Sequence, residues 1–335
     1  MFALLAVLCW STVASAFKLT LRQVDYLTML LCSSCVSTIF LFVTLIVQGK
    51  TALLIDALSV RGHSVGGRSV GRPSAVRRPP EIHRTHEGNS HGRALLRSAA
   101  NGFLNPFLYY VVLFKAYSLL PAQEAQPLNF TWPIVLVFLS APMLRQRIRP
   151  LSILALGLSF LGVLIVSTHG DLLGLRFTNL PGAILAMGSA VVWALFWLTN
   201  VKDERDSVLK LFLNFFFGFL YILVTTLILG VIRTTEVWAQ EGARVAWPAT
   251  ASVGTAGLLG CVYIGIFEMG AAFVLWLKAL QLSEATAKVS NLIFLSPFIS
   301  LIFIRFVVGE RILPSSIIGL GFIAGGILIQ RTVHN

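Results

Sequence analysis

The chain has 335 residues, 56% of them hydrophobic and only 12% charged, and a mean hydropathy of +0.82. That is well above the roughly half-apolar composition of a soluble domain, so it excludes a water-soluble globular fold and describes an integral membrane protein. The formal charge of +12 concentrates in one polar loop, whose basicity suits anionic lipid head groups or nucleic acid as well as a solvated linker.

Apolar stretches run at about 2–17, 26–48, 94–119, 122–144, 150–167, 180–199, 208–232, 251–280, 284–308 and 314–330. Most approach the roughly 20 residues that span a bilayer as a helix. Ten such spans leave no room for a soluble domain. They are continuously apolar, where a barrel strand would alternate over about ten residues, so the expected fold is an all-α membrane protein with ten transmembrane helices.

The first stretch has a competing reading as a secretory signal, because Ala14-Ser15-Ala16 has the small residues of a cleavage site. A signal peptide carries a basic region before its apolar run, whereas this sequence starts Met1-Phe2-Ala3, and Trp10 lies in a context like that of Trp193. The stretch is therefore taken as the first membrane helix; a start codon upstream of Met1 is a further alternative. Cys9, Cys32, Cys35 and Cys261 all fall inside apolar spans. Although Cys32 and Cys35 have C-x-x-C spacing, zinc and redox sites need further ligands or a thioredoxin-type context, so the cysteines are read as packing residues and no metal or cofactor is expected.

The polar loop from Gly49 to Arg93 carries Arg61, Arg68, Arg72, Arg77, Arg78, Arg84 and Arg93 among Gly, Ser, Pro and His. It has too little apolar surface to fold by itself and reads as a solvated linker. His63, His83, His86 and His91 lie here without fixed ligand spacing.

Further along, the chain repeats itself. An offset of 164 pairs Arg147, Ile148, Pro150, Ser152, Ile153, Leu156, Gly157, Gly162, Leu164 and Ile165 with Arg311, Ile312, Pro314, Ser316, Ile317, Leu320, Gly321, Gly326, Leu328 and Ile329. After a one-residue gap, an offset of 163 pairs Gly102, Val111, Lys115, Ala116, Leu119 and Ala122 with Gly265, Val274, Lys278, Ala279, Leu282 and Ala285. The expected organisation is two five-helix repeats, residues 1–170 with the basic loop 49–93 and residues 171–335. An odd number of helices in each half makes the two copies inverted, and such halves place a binding site between them in many secondary transporters.

Orientation follows from where Lys and Arg accumulate in short loops. With both termini inside, the arginine loop, Arg145, Arg147, Arg149, Lys202, Arg205, Lys288 and Arg331 are cytoplasmic, and Lys18, Arg22, Arg176, Arg233, Arg244, Arg305 and Arg311 are outside.

Several segments now read together: Trp10-Ser-Thr, the run FEMGAAFVLWLKAL from Phe267 to Leu280, Glu284-Ala-Thr-Ala, Leu295-Ser-Pro297 and Gly309-Glu310-Arg311-Ile312. In these the chain resembles the drug/metabolite transporter superfamily, specifically its EamA-type members with two five-helix halves. The resemblance covers all of the chain except the loop 49–93. The first half departs from it, with Arg145-Gln146-Arg147 where the second has Gly309-Glu310-Arg311. The resemblance implies transport, usually export, of amino acids or related small metabolites across the cytoplasmic (inner) membrane by alternating access around a central cavity. Relatives also move sugars, nucleotide sugars and phosphorylated metabolites.

Glu268 stands mid-helix in Tyr263-Ile-Gly-Ile-Phe-Glu-Met-Gly, and an ionisable group at that depth is by default a functional candidate. Its repeat partner at offset 163 is Asn105. Helical spacing of four extends these faces to Trp276 and to Tyr109. The functional reading makes Glu268 the group that binds a substrate amine or takes a coupling proton, with Trp276 and Tyr109 lining an apolar wall; the alternative is a protonated carboxyl that only holds helices together. Asn129, Trp132 and Pro133 on the fourth span and Asn291, Ser296 and Pro297 on the ninth add cavity candidates, because a proline inside an apolar helix frees backbone carbonyls; packing through amide hydrogen bonds is the alternative. Trp10, Trp193 and Trp197 fit either a cavity wall or a lipid face, and Asn214 is a further candidate. Lys115 and Lys278 read as snorkelling residues, and the glycines of the last helix in each half as close helix contacts, inside one molecule or at a dimer seam.

No histidine lies well inside a span, so a zinc-dependent intramembrane enzyme is not expected. The remaining alternatives are a sugar or phosphorylated-metabolite transporter, which would want cavity Lys or Arg, and a membrane scaffold tethered by the basic loop. The expected partners are a small-molecule substrate, a coupling proton and membrane lipids, with the protein a monomer or homodimer.

Overall fold

The protein is described by a computed structural model covering residues 1–58, 87–132, 134–136, 138–139, 150–172, 178–201, 203–241, 254–281 and 295–332. Pro133, residues 141–149 with Arg145-Gln146-Arg147, Lys202, Glu284, Lys288 and Asn291 lie outside these residues, as does most of the arginine loop.

Every regular element among the described residues is helical. In chain order they are α1 (Phe2–Leu21), α2 (Tyr26–Val47), α3 (Thr51–Leu58), α4 (Glu87–Gly102), α5 (Tyr109–Leu119), α6 (Ala122–Asn129), α7 (Pro150–Ser167), α8 (Leu180–Val201), α9 (Ser207–Glu241), α10 (Thr255–Tyr263), α11 (Ala272–Gln281), α12 (Leu295–Phe303) and α13 (Pro314–Thr332). The π-helical segment Phe103–Leu108 joins α4 to α5, and a second, Ile264–Ala271, joins α10 to α11. The residues paired at offset 163, Asn105 and Glu268, sit one in each segment. In the first, Pro106 follows a cis peptide bond, and Asn105 takes an extended conformation (φ −149°, ψ 121°), as the residue before a proline prefers.

Phe2–Leu21, Tyr26–Val47, Leu180–Asn200, Ser207–Gly230 and Thr255–Trp276 are long and apolar enough to cross a membrane, and Gly157–Ser167, Leu295–Val308 and Pro314–Ile329 are shorter apolar helices. Their outer faces expose Ile39, Phe42, Val43, Ile46, Val224, Leu227, Ile228, Leu258, Leu259, Ile317 and Ile318. An apolar surface of this extent demands lipid rather than water, while each helix satisfies its own backbone groups as hydrocarbon requires. The chain is a multi-pass membrane protein.

Polar contacts gather at the two ends of the bundle. At one end Lys50 pairs with Asp206 at 2.7 Å, Arg205 pairs with Asp203 at 2.6 Å and also donates to Ser98 Oγ, and Lys210 donates to the carbonyls of Asn200 and Asp203. Asp206 caps α9 by accepting from the amides of Val208 and Leu209. At the other end meet Lys18, the turn from α5 to α6, His169 after α7, Thr178 before α8, and Glu310 to Ser316 before α13.

The tightest packing joins α7 and α13, the last helix of each proposed repeat. A Cβ on Gly162 would lie 2.5 Å from the carbonyl oxygen of Gly319, and one on Gly326 would lie 2.5 Å from that of Ala155. Between these contacts Ser159 Oγ donates to the carbonyl of Ile323 at 3.2 Å. As the position rises from 155 to 162 on α7 its partner falls from 326 to 319 on α13, so the helices run antiparallel. Of the glycines noted in the sequence, Gly162, Gly319 and Gly326 thus serve an internal contact, whereas a Cβ on Gly157 or Gly321 would meet nothing within 4 Å. The repeat-paired lysines also share a setting, Lys115 over the ring of Tyr26 at 5.2 Å and Lys278 over that of Phe2 at 5.7 Å, as amphipathic chains that cover aromatic surface do.

Candidate functional site

Three helices turn one face each toward a common cavity. Trp10, Ala14 and Phe17 recur at helical spacing on α1, Tyr109, Leu113 and Tyr117 on α5, and Gln126 and Asn129 on α6; Phe130 just after α6, Trp132, Trp193 and Glu268 complete the wall with Val13. The cavity measures about 50 Å³. That holds one or a few waters and falls short of the roughly 300 Å³ at which small-molecule pockets begin, so this conformation is contracted around its site.

Glu268 is buried in the π-helical break between α10 and α11. The hydroxyl of Tyr110 donates to its Oε1 at 3.1 Å, while Oε2 meets no hydrogen-bond partner among the described residues. One oxygen of the carboxyl group is thereby held in place, and the other is buried without a described partner. Asn129 forms the opposite polar group: its Nδ2 donates to Ser189 Oγ at 2.8 Å, and its Oδ1 accepts from the Tyr109 hydroxyl at 3.4 Å. Trp193 is the aromatic hub, with ring centroids 4.6 Å from Tyr109, 5.4 Å from Phe273 and 6.5 Å from Trp132.

Of the residues nominated from sequence, Trp10, Tyr109, Asn129, Trp132, Trp193 and Glu268 line one cavity. Trp276 stands behind Trp10, edge to face at 5.4 Å. Asn105 is fully buried, and neither its Oδ1 nor its Nδ2 has a partner among the described residues; the same helix supplies Tyr109 and Tyr110 to the site instead. Asn291 lies outside the described residues. Tyr110, Gln126 and Tyr117 are polar residues of the site that sequence reading passed over. Tyr117 continues the Tyr109 face at twice the helical spacing of four, a signal that was available; Tyr110 was not signalled, since it reaches Glu268 only through tertiary packing.

Beyond the cavity, at the Lys18 end of the bundle, opens a bowl of about 530 Å³ lined by Lys18, Leu119, Leu120, Pro121, Gln123, Glu124, His169, Glu310, Arg311 and Leu313. On the cavity side, Phe17 and Tyr117, next in sequence to Lys18 and close to Leu119 of the bowl, pack edge to face with centroids 5.2 Å apart, and Phe114 backs Phe17 at 4.7 Å. In the bowl, Glu124 Oε1 meets His169 Nε2 at 2.6 Å and accepts from the Thr178 hydroxyl at 3.3 Å. Lys18 Nζ donates to the carbonyls of Tyr117 and Leu120, at 2.8 and 2.6 Å.

Comparison with known proteins agrees with this architecture. The model of the EamA-like transporter family matches residues 81–168 and 180–332. Among curated relatives, the uncharacterized transporter YvbV of Bacillus subtilis (strain 168) is 24% identical over 234 residues, covering 69% of this chain and 70% of that protein. An uncharacterized transporter of Acidianus ambivalens is 26% identical over 220 residues, covering 65% and 78%. The aromatic amino acid exporter YddG of Ancylobacter novellus is 23% identical over 171 residues, covering 51% and 53%. A solved crystal structure superposes with a TM-score of 0.56 at 17% identity, covering 100% of this chain and 98% of its own, which is a likeness of fold. With the family model matching well over half of its length, in a bundle of membrane helices around a buried carboxylate, the chain belongs to the EamA-like transporter family.

Proposed function

We propose that the protein exports amino acids or related small metabolites across the cytoplasmic (inner) membrane, by alternating access around the Glu268 cavity. The observation that carries this reading is the half-satisfied carboxylate of Glu268, with Tyr110 on one oxygen and no described partner on the other. A substrate ammonium, or a coupling proton, would complete it. Asn129 and Gln126 offer amide groups for a carboxylate, and the surrounding Trp10, Tyr109, Tyr117 and Trp193 form walls suited to an apolar or flat side chain. The similarity to a protein named as an aromatic amino acid exporter supports the same class. A sugar-phosphate or nucleotide-sugar substrate would want a cationic cavity wall, and the cavity lining among the described residues holds no Lys or Arg.

The working unit is ten helices in two inverted halves, 1–170 and 171–335, with both termini cytoplasmic. The α7–α13 contact supports inversion. At offset 164, Gly162 and Gly326 are mates, as are Ala155 and Gly319, so the contact of Gly162 with Gly319 and that of Gly326 with Ala155 exchange under the repeat. Ser159 bonds its own mate, Ile323. Antiparallel helices with such a self-complementary contact fit a two-fold axis across the helices, hence in the membrane plane.

The test is counterflow in proteoliposomes with a panel of amino acids, sugars and phosphorylated metabolites, with and without a pH gradient. Amino-acid counterflow by the parent protein is expected, with Glu268→Gln reducing it about tenfold or more while the folded protein stays in the membrane. Undiminished counterflow in the variant would remove Glu268 from the mechanism.

A further inference from the structure

The turn between α5 and α6 is held from outside itself. Helix α6 begins after Pro121 with no side-chain cap from its own N-terminal residue, although the first amides of a helix lack partners within it. Glu310 supplies them from the other half of the chain: the amide of Ala122 donates to its Oε1 at 3.0 Å and that of Gln123 to its Oε2 at 3.2 Å. Gln123 returns the contact. Its Nε2 donates to the carbonyl of Arg311 at 2.8 Å, and its Oε1 accepts from the amide of Leu313 and the hydroxyl of Ser316, both at 3.0 Å. On the opposite side of the turn Lys18 holds the carbonyls of Tyr117 and Leu120. An anion thus sits at a helix start and a cation at a helix end, the signs that each helix dipole favours.

We infer that the Glu310–Gln123 clasp is the latch that closes the cavity toward the Lys18 end, and that it is undone and remade in each transport cycle. This rests on the proposed transport reading. Three features fit a reversible latch better than permanent glue. The helix that it holds, α6, carries Gln126 and Asn129 of the cavity wall and ends at Phe130, so displacing its start moves the wall. The clasp also borders the 530 Å³ bowl, where water can take over the amides and carboxylate when the contact parts, so opening leaves no buried group orphaned. Finally, it joins segments nearly 190 positions apart, from the two halves that alternating access must separate on one side. In the sequence, offset 164 pairs Glu310 with the neutral Gln146, so the carboxylate of the clasp is particular to the second half.

The latch is tested by one-sided accessibility. In full-length protein with Cys9, Cys32, Cys35 and Cys261 replaced by alanine, Leu113→Cys places a reporter in the cavity wall. A membrane-impermeant maleimide is then applied to each membrane face in separate experiments. Glu310→Gln keeps the shape of the side chain and removes its charge; Gln123→Glu sets a second carboxylate against Glu310. Either variant is expected to raise the labelling rate from the Lys18 face about tenfold or more and to leave the rate from the opposite face unchanged. Unchanged labelling in both folded variants, or a rise from both faces alike, would overturn the latch. The labelling needs no substrate, so a failure of counterflow and a failure of the latch are read separately.

Discussion

A carboxyl group in the middle of a membrane protein is expensive. Glu268 has one oxygen fixed by a tyrosine and the other buried without a described partner, an arrangement that suits the proposed ligand-binding role. Its depth was legible from the sequence, and so was the aromatic character of Trp10, Tyr109 and Trp193. Its partner was not. Counting in fours from Glu268 assumes regular α-helix, but Ile264–Ala271 is π-helical, with an extra residue in the turn that rotates the following side chains; Trp276 accordingly packs on Trp10, behind the cavity wall. Asp203 and Arg205, outside the spans, make a complementary structural pair. Burial would raise the Asp203 carboxyl, but hydrogen bonds from Arg205 outweigh it and hold the group below the usual aspartate range. A carboxyl depressed on folding stabilises above its unfolded value, near 3.9, and loses that contribution as pH falls through the folded one. Asp203→Asn is expected to cost about 1–3 kcal/mol near neutral pH. The gap in melting temperature between parent and variant in detergent should narrow steadily below about pH 4.

At the scale of elements, the α7–α13 pair ties the two halves together. Backbones approach so closely that the Cβ positions of Gly162, Gly319 and Gly326 each fall within 2.7 Å of a partner's backbone carbonyl oxygen, and backbone cannot swing aside as a flexible side chain would. Gly162→Ala is expected to push the helices apart and destabilise the protein by about 1–3 kcal/mol, as overpacking does. Gly157→Ala, whose Cβ would meet nothing, is its control. Thermal unfolding in the same detergent should separate the two; equal stability of both variants would contradict the close crossing. A second close approach lies between α4 and α9. A Cβ on Gly102 would lie 2.3 Å from the carbonyl oxygen of Asn214, and one on Gly218 would lie 2.3 Å from Pro106. Neither glycine's neighbour is visible in a local pattern, because each belongs to a helix remote in sequence.

Over the whole molecule, the polar clusters divide cleanly between the bundle ends, Lys50 with Asp203 to Lys210 at one and Lys18 with Glu310 to Ser316 at the other. Under the proposed orientation the first is cytoplasmic. In a background without native cysteines, Glu204→Cys is expected to react with impermeant maleimide only after the inner face is exposed, and Gln23→Cys in intact cells; the reverse pattern would invert the topology. The membrane class, the apolar helices, the family and the mid-helix position of Glu268 were all legible in the sequence, because hydropathy and residue spacing are local properties that hydrocarbon enforces on each segment separately. Which helices touch, which oxygen of Glu268 has a partner, and which amides Glu310 of the Gly309-Glu310-Arg311 motif holds were decided only by tertiary structure. Those features join residues more than a hundred positions apart, and no helical period extends that far.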